Sequence, residues 1–122
     1  MKFYYCDTCK SIFTFVNKPT EHLNCCGNPL KELVPNSTVA SLEKHIPVLE
    51  RVDNHVIAKV GSETHPMLPE HYIEWIVLET THGYQLKNLN PGDAPMAEFI
   101  LAPGEEVLTS YAYCNIHKLW KC

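Results

Sequence analysis

The chain has 122 residues, 45% of them apolar and 20% charged, with a formal net charge of −4. These values suit one modest globular domain, or a small module joined to one, and exclude a disordered chain. The negative balance excludes a general nucleic-acid binder, which needs a basic face for phosphates, and no apolar run approaches the length of a transmembrane helix. The N-terminal Met1-Lys2-Phe3-Tyr4-Tyr5 leads straight to Cys6 without the apolar stretch of a secretion signal, so a cytoplasmic protein is expected. In a reducing compartment the six cysteines read as metal ligands more readily than as disulfides.

In chain order, the first segment holds four of those cysteines and little core. Ser11 to Val16 predicts one strand and Leu30 to Val34 a second, with turns at Pro19 and Pro29. Such a unit buries too little apolar surface to fold alone, and a bound metal would supply what the core lacks.

From about residue 38 the pattern is all-β. Val48–Val52 and His55–Val60 predict a strand pair across an Asp53-Asn54 turn. His71–Thr80, rich in aromatic and β-branched residues, is the strongest strand, and Tyr84–Leu89 follows it as the second arm of a hairpin. Ala97–Leu101 and Val107–Cys114 complete the set, separated by a Pro103-Gly104 turn. Strands of this length, broken at regular intervals, predict a β-sandwich.

Two groups of residues carry chemistry. Cys6-Asp7-Thr8-Cys9 is a knuckle pair, and Cys25-Cys26 is an adjacent pair. Four thiolates in two clusters can enclose one tetrahedral metal. An adjacent pair cannot form a second knuckle, which predicts a distorted tetrahedron and favours iron over zinc. A structural zinc or a disulfide pair is the alternative.

The second group is drawn from the seven histidines. His45 precedes Ile46-Pro47. His65 and His71 flank a proline-constrained loop, and Cys114-Asn115-Ile116-His117 is a C-x2-H pair at the end of a long strand. Imidazoles with a thiolate point to iron, copper or zinc, because magnesium and calcium prefer oxygen ligands. Five candidate ligands exceed what a closed zinc site needs and favour iron, although two of the histidines being incidental would give the same pattern. His22, His55 and His82 sit in polar or turn contexts and are assigned no role. Cys122 reads as a free, exposed thiol.

With these groups placed, the sequence resembles desulfoferrodoxin, the two-iron form of superoxide reductase, over nearly its whole length. The segments that carry the resemblance are Cys6-x2-Cys9, Cys25-Cys26-Gly27, Glu43-Lys44-His45-x-Pro47, Thr64-His65-Pro66-Met67, His71-Tyr72-Ile73-x-Trp75-Ile76 and Cys114-Asn115-x-His117-x-x-Trp120. The resemblance implies an all-β chain with a desulforedoxin-like module over residues 1–36 and an immunoglobulin-like β-sandwich over 37–122. It implies two irons per chain. Cys6, Cys9, Cys25 and Cys26 would hold one. His45, His65, His71 and His117 would surround the other, with Cys114 as its axial ligand.

Glu43 would fill the sixth position in the ferric state, and Lys44 would stand beside the open one. The implied activity is reduction of superoxide to hydrogen peroxide, with rubredoxin or a flavoprotein reductase as electron donor, in a homodimer. Family modules often carry glycine directly after the first cysteine pair; here that residue is Lys10. The rival readings are an iron–thiolate electron-transfer protein and a zinc-stapled binding module.

Overall fold

A computed structural model describes all residues from Met1 to Cys122. The chain divides into two compact units, Met1–Val34 and Pro35–Cys122.

In the first unit, β1 (Phe3–Tyr5) is central, with β2 (Ile12–Phe13) on one side and β5 (Lys31–Leu33) on the other, both antiparallel. A second small hairpin joins β3 (Asn24–Cys25) to β4 (Asn28–Pro29). The strand expected over Ser11–Val16 is reduced to two residues, because β1 offers so short an edge. Beyond it Thr14 turns its hydroxyl onto the Lys2 carbonyl at 2.8 Å, and Val16 is left exposed. Few side chains are buried: Phe3 and Cys6 are the buried apolar ones.

Near the start of the second unit, the Asn36 side chain clamps the backbone of one residue of a distant strand. Its Nδ2 donates to Lys121 O at 3.1 Å and its Oδ1 accepts from Lys121 N at 2.9 Å. A four-residue helix, α1 (Leu42–His45), follows, too short to show a helical period in the sequence.

Two antiparallel sheets then face each other. One has the order β10 (Met96–Ile100), β7 (His55–Val60), β6 (Pro47–Val52). The other runs β12 (Lys118–Lys121), β11 (Val107–Cys114), β8 (Ile73–Thr80), β9 (Gly83–Asn88). Alternation sets which side chains meet between them. Val56, Ala58 and Val60 of β7, with Ala97 and Phe99 of β10, pack against Ile76 and Leu78 of β8 and Ala112 and Cys114 of β11. The β-sandwich read from the sequence is therefore the observed architecture.

Two departures bear on function. The strand expected from His71 begins only at Ile73, and its pairing with β11 shifts between Trp75↔Tyr113 and Ile73↔Cys114. Glu74 is the extra residue of this bulge, and its carbonyl accepts from Leu89 N at 2.9 Å instead. The bulge turns Ile73 into the core although Trp75, two residues on, stacks outside it on Tyr113. The chain ahead of it, carrying His71, is re-aimed. The second departure is β12, which returns along β11 after the Asn115–His117 turn.

At the other end of β8, Thr80 Oγ1 donates to Glu105 Oε2 at 2.6 Å, and Ala102 N–H donates to Glu105 Oε1 at 2.9 Å. These bonds satisfy a buried carboxylate.

Candidate metal centres

In the first unit the four predicted cysteines converge, and their Sγ atoms all lie within 4.8 Å of one another. Cys9 and Cys25 approach to 3.5 Å and Cys25 and Cys26 to 3.9 Å. Ligands bonded at about 2.3 Å around a tetrahedral metal sit roughly 3.8 Å apart. All six cysteines of the chain are free, so the disulfide alternative is set aside.

The turn that presents the first pair uses left-handed backbone. Lys10 has φ 65° and its amide donates to Cys6 O at 2.9 Å. This is the position where glycine was the expected family residue, and lysine accepts the strained conformation there. Cys26 does the same at φ 52°, followed by Gly27 at φ 78°, so the adjacent pair is splayed by two successive left-handed residues.

The thiols are electrostatically unequal. The Ser11 hydroxyl, with the Ser11 amide, holds Cys9 down to about 6, so this thiolate is available at neutral pH. Sharing protons with Cys6 and Cys9 pushes Cys25 up to about 12. A metal cation resolves that crowding by replacing the shared protons.

In the second unit, the ligand candidates sit where strands end. His45 closes α1, just before β6, and His65 follows β7. His71 precedes β8, and Cys114 and His117 bracket the turn between β11 and β12. The four imidazoles form a square. Adjacent ring centroids are 4.7 Å apart for His45–His65, 4.7 Å for His65–His71, 5.1 Å for His71–His117 and 4.8 Å for His45–His117. The diagonal His45–His71 is 6.5 Å.

The nitrogens point inward. His45 Nε2 lies 3.2 Å from His65 Nε2 and 3.1 Å from His117 Nδ1. Adjacent ligands at right angles around a metal with bonds near 2.1 Å would stand about 3 Å apart. The Cys114 Sγ joins His45, His65 and His71 in a set whose donor atoms lie within 4.8 Å of one another, and is 3.9 Å from His117 Nδ1.

The orientation of each ring has a cause. His45 Nδ1 donates to Ser41 O and His65 Nδ1 to Pro66 O, both at 2.6 Å, which leaves each Nε2 bare and facing the centre. Trp120 lies against the His45 ring and donates its indole N–H to His117 O at 3.0 Å. His71 Nε2 is buried with no hydrogen-bond partner. A buried nitrogen facing three other imidazoles, with nothing to bond, fits a metal ligand.

Burial pushes the pKa of His45 and His71 below the ordinary histidine value, and that of His65 down to about 4, so the rings are neutral, the ligating form. Burial pushes the Cys114 thiol up, opposed by the amides of His117 and Ile116. The His117 amide lies 3.4 Å from the sulfur.

The two remaining predicted residues are on α1. Lys44 is exposed, and its charge disfavours protonation of His45 and His71. Glu43 is not among the clustered donors: its carboxylate accepts from the Ser41 hydroxyl at 2.7 Å. The helix itself is fastened through Glu43 O, which accepts from Glu63 N at 2.9 Å. Sequence inspection passes over the Ser41 and Pro66 carbonyls, because any residue can offer a carbonyl. It also passes over the Asn115 side chain, which bonds to both sides of His71.

A family model for desulfoferrodoxin matches residues 37–122. The chain belongs to the desulfoferrodoxin family. A desulfoferrodoxin homolog from Archaeoglobus fulgidus is 43% identical over 99% of this chain and 95% of its own length. A desulfoferrodoxin from Syntrophotalea carbinolica is 39% identical over 98% of this chain and 94% of its own. Among solved structures, the superoxide reductase from Treponema pallidum superposes with a TM-score of 0.83 at 36% identity, covering 99% of this chain and 97% of that one. The 1Fe superoxide reductase from Giardia intestinalis gives a TM-score of 0.57 at 32% identity, covering 66% of this chain and 95% of its own. Similarity to the longer desulfoferrodoxins thus takes in the four-cysteine unit as well as the sandwich.

Proposed function

We propose that this desulfoferrodoxin reduces superoxide to hydrogen peroxide at the square of His45, His65, His71 and His117 with Cys114. The observation that carries the reading is that square: four imidazoles facing inward, one buried nitrogen without a partner, and a thiol alongside. Superoxide must take up one electron and two protons to become hydrogen peroxide. Ferrous iron held there would supply the electron.

The residues around the centre have separate tasks. The Ser41 and Pro66 carbonyls fix ring orientation before any metal arrives. The His117 and Ile116 amides stabilise the Cys114 sulfur as thiolate. Lys44 supplies a local positive charge on a chain of net charge −4, drawing in a small anion and offering it a hydrogen bond from Nζ. Glu43 would have to leave Ser41 to act as a ligand in the oxidised state. Glu43→Ala should then change the visible spectrum of oxidised protein, and an unchanged spectrum removes Glu43 from the ligand set.

Residues 1–36 form a desulforedoxin-like module in which Cys6, Cys9, Cys25 and Cys26 hold a second iron, and residues 37–122 form the catalytic domain. The protein works as a cytoplasmic homodimer supplied by rubredoxin or a flavoprotein reductase. Sedimentation tests the dimer, and reconstitution with each donor tests the supply.

Metal analysis and an activity assay decide between this reading and its rivals. Two irons per chain, and peroxide formed as donor is consumed without dioxygen release, are expected. Dioxygen release would mean dismutation. Iron without turnover would leave an electron-transfer protein, and a colourless zinc protein a binding module.

A further inference from the structure

We infer that Asn115 is the residue that positions His71 for the metal, an inference that rests on the metal reading of the square given above. His45 and His65 each have a ring nitrogen fastened to a backbone carbonyl, and His117 is held through its own carbonyl by Trp120. His71 has no comparable bond to its ring, and its Nε2 is buried and unpaired. Its direction is therefore set by the main chain that carries it.

Asn115 holds that main chain from both sides. Its Oδ1 accepts from Tyr72 N at 2.9 Å, its Nδ2 donates to Glu70 O at 3.1 Å, and its own amide donates to Tyr72 O at 3.2 Å. The amide and carbonyl of His71 itself are both taken by Leu68, at 3.0 Å each. Asn115 directly follows Cys114, so these bonds tie the backbone of one proposed ligand to the backbone flanking another. They also act where the β8 bulge interrupts regular pairing with β11 and the ladder no longer holds the strand. A carboxamide suits the task because it accepts and donates at once, matching an N–H and a C=O that flank one residue. Asp, Ser or Leu at this position would lose one or both bonds.

The test uses the iron-loaded full chain and reads ferrous retention against a chelator under anaerobic conditions, with the visible spectrum after oxidation. Asn115→Ala should weaken retention about tenfold or more, the span seen when residues that orient metal ligands are removed, and should shift the spectrum. Asn115→Asp, which keeps the acceptor for Tyr72 N–H but not the donor, should fall between Ala and the parent, and it serves as the readout should the alanine variant fail to fold. Thr80→Ala, at the far end of β8, should lower the unfolding temperature and leave both iron readouts unchanged. Parent-like retention and spectrum in the Asn115 variants would overturn the inference, and so would an equal loss in Thr80→Ala. His71→Ala separates the two levels. If it too keeps the parent spectrum, His71 is not a ligand and the metal reading fails; if it alone changes the spectrum, only the role of Asn115 fails.

Discussion

The indole of Trp120 lies against the imidazole of His45, ring centroids 4.8 Å apart and planes 29° from parallel. Trp120 is fully buried and spends its N–H on the His117 carbonyl, so one side chain supports two corners of the square. Trp120→Phe keeps the stacking and loses the hydrogen bond and some volume. It should destabilise the second unit by about 1–3 kcal/mol while retaining the centre's spectrum. Trp120→Ala should cost about 3–5 kcal/mol and release the iron as well. Denaturant titrations followed by far-UV and visible absorption read the two losses separately. A Trp120→Ala protein with parent-like colour would show that His45 does not depend on the indole.

Gly61 offers a second point of control, acting through α1. A Cβ there would strike Glu43 O and come within 3.0 Å of Ile46 O, both backbone atoms bounding α1. Gly61→Ala must therefore displace either the helix or the end of β7. We expect a loss of about 1–3 kcal/mol and weaker iron retention, because the same helix carries Lys44 and His45. A shift in stability with no change at the centre would mean that β7 yields and α1 stays.

Lys44→Ala should slow the reaction with superoxide by about tenfold at low ionic strength, within the range of electrostatic steering. The rate for the parent should fall as salt is added, and the variant's rate should be nearly flat, since exposed charges are screened over about 8–10 Å at moderate salt. Stopped or pulsed generation of superoxide at several salt concentrations measures this. Equal rates at low salt would rule out steering by Lys44.

Acid sensitivity should have a contribution from Glu105. The Thr80 hydroxyl, then the Ala102 amide, hold its carboxyl below the ordinary value of 4.5, with His82 contributing. A depressed folded-state value means stability that is present above pH 4.5 and is lost as pH falls through the lower, folded value. Glu105→Gln should flatten the acid limb of the unfolding curve in that window. A variant that loses stability as steeply as the parent below pH 4.5 would assign acid unfolding to other carboxylates.

The parts of this fold visible in the sequence were those set by side-chain alternation. The spans of β7 and β11 follow from it directly, and β8 is misplaced only where a bulge breaks the period. Lys118–Lys121 escaped notice because four residues after a turn carry too little pattern, and the strands of the first unit are shorter still. Site residues were visible in proportion to the rarity of their chemistry. Four cysteines in two pairs, or histidine beside cysteine, stand out in any sequence. Carbonyls that turn a ring, a glycine that makes room for a helix, and an asparagine that grips two peptides have no such signature. Their importance lies in what they face, and only the folded chain displays that.

His45 and His117 touch across 72 positions of sequence, one before the first strand of the sandwich and the other in its last turn. Contacts of such range form only after the intervening chain has condensed, because loop closure costs entropy before it returns any bonding. A sandwich in which β12 has yet to pair with β11 leaves His117 unplaced and offers at most four of the five donors. Capture of a metal by this unit would thus report that its folding is complete, and a chain stalled short of that point would lack this centre's absorption and be open to proteolysis.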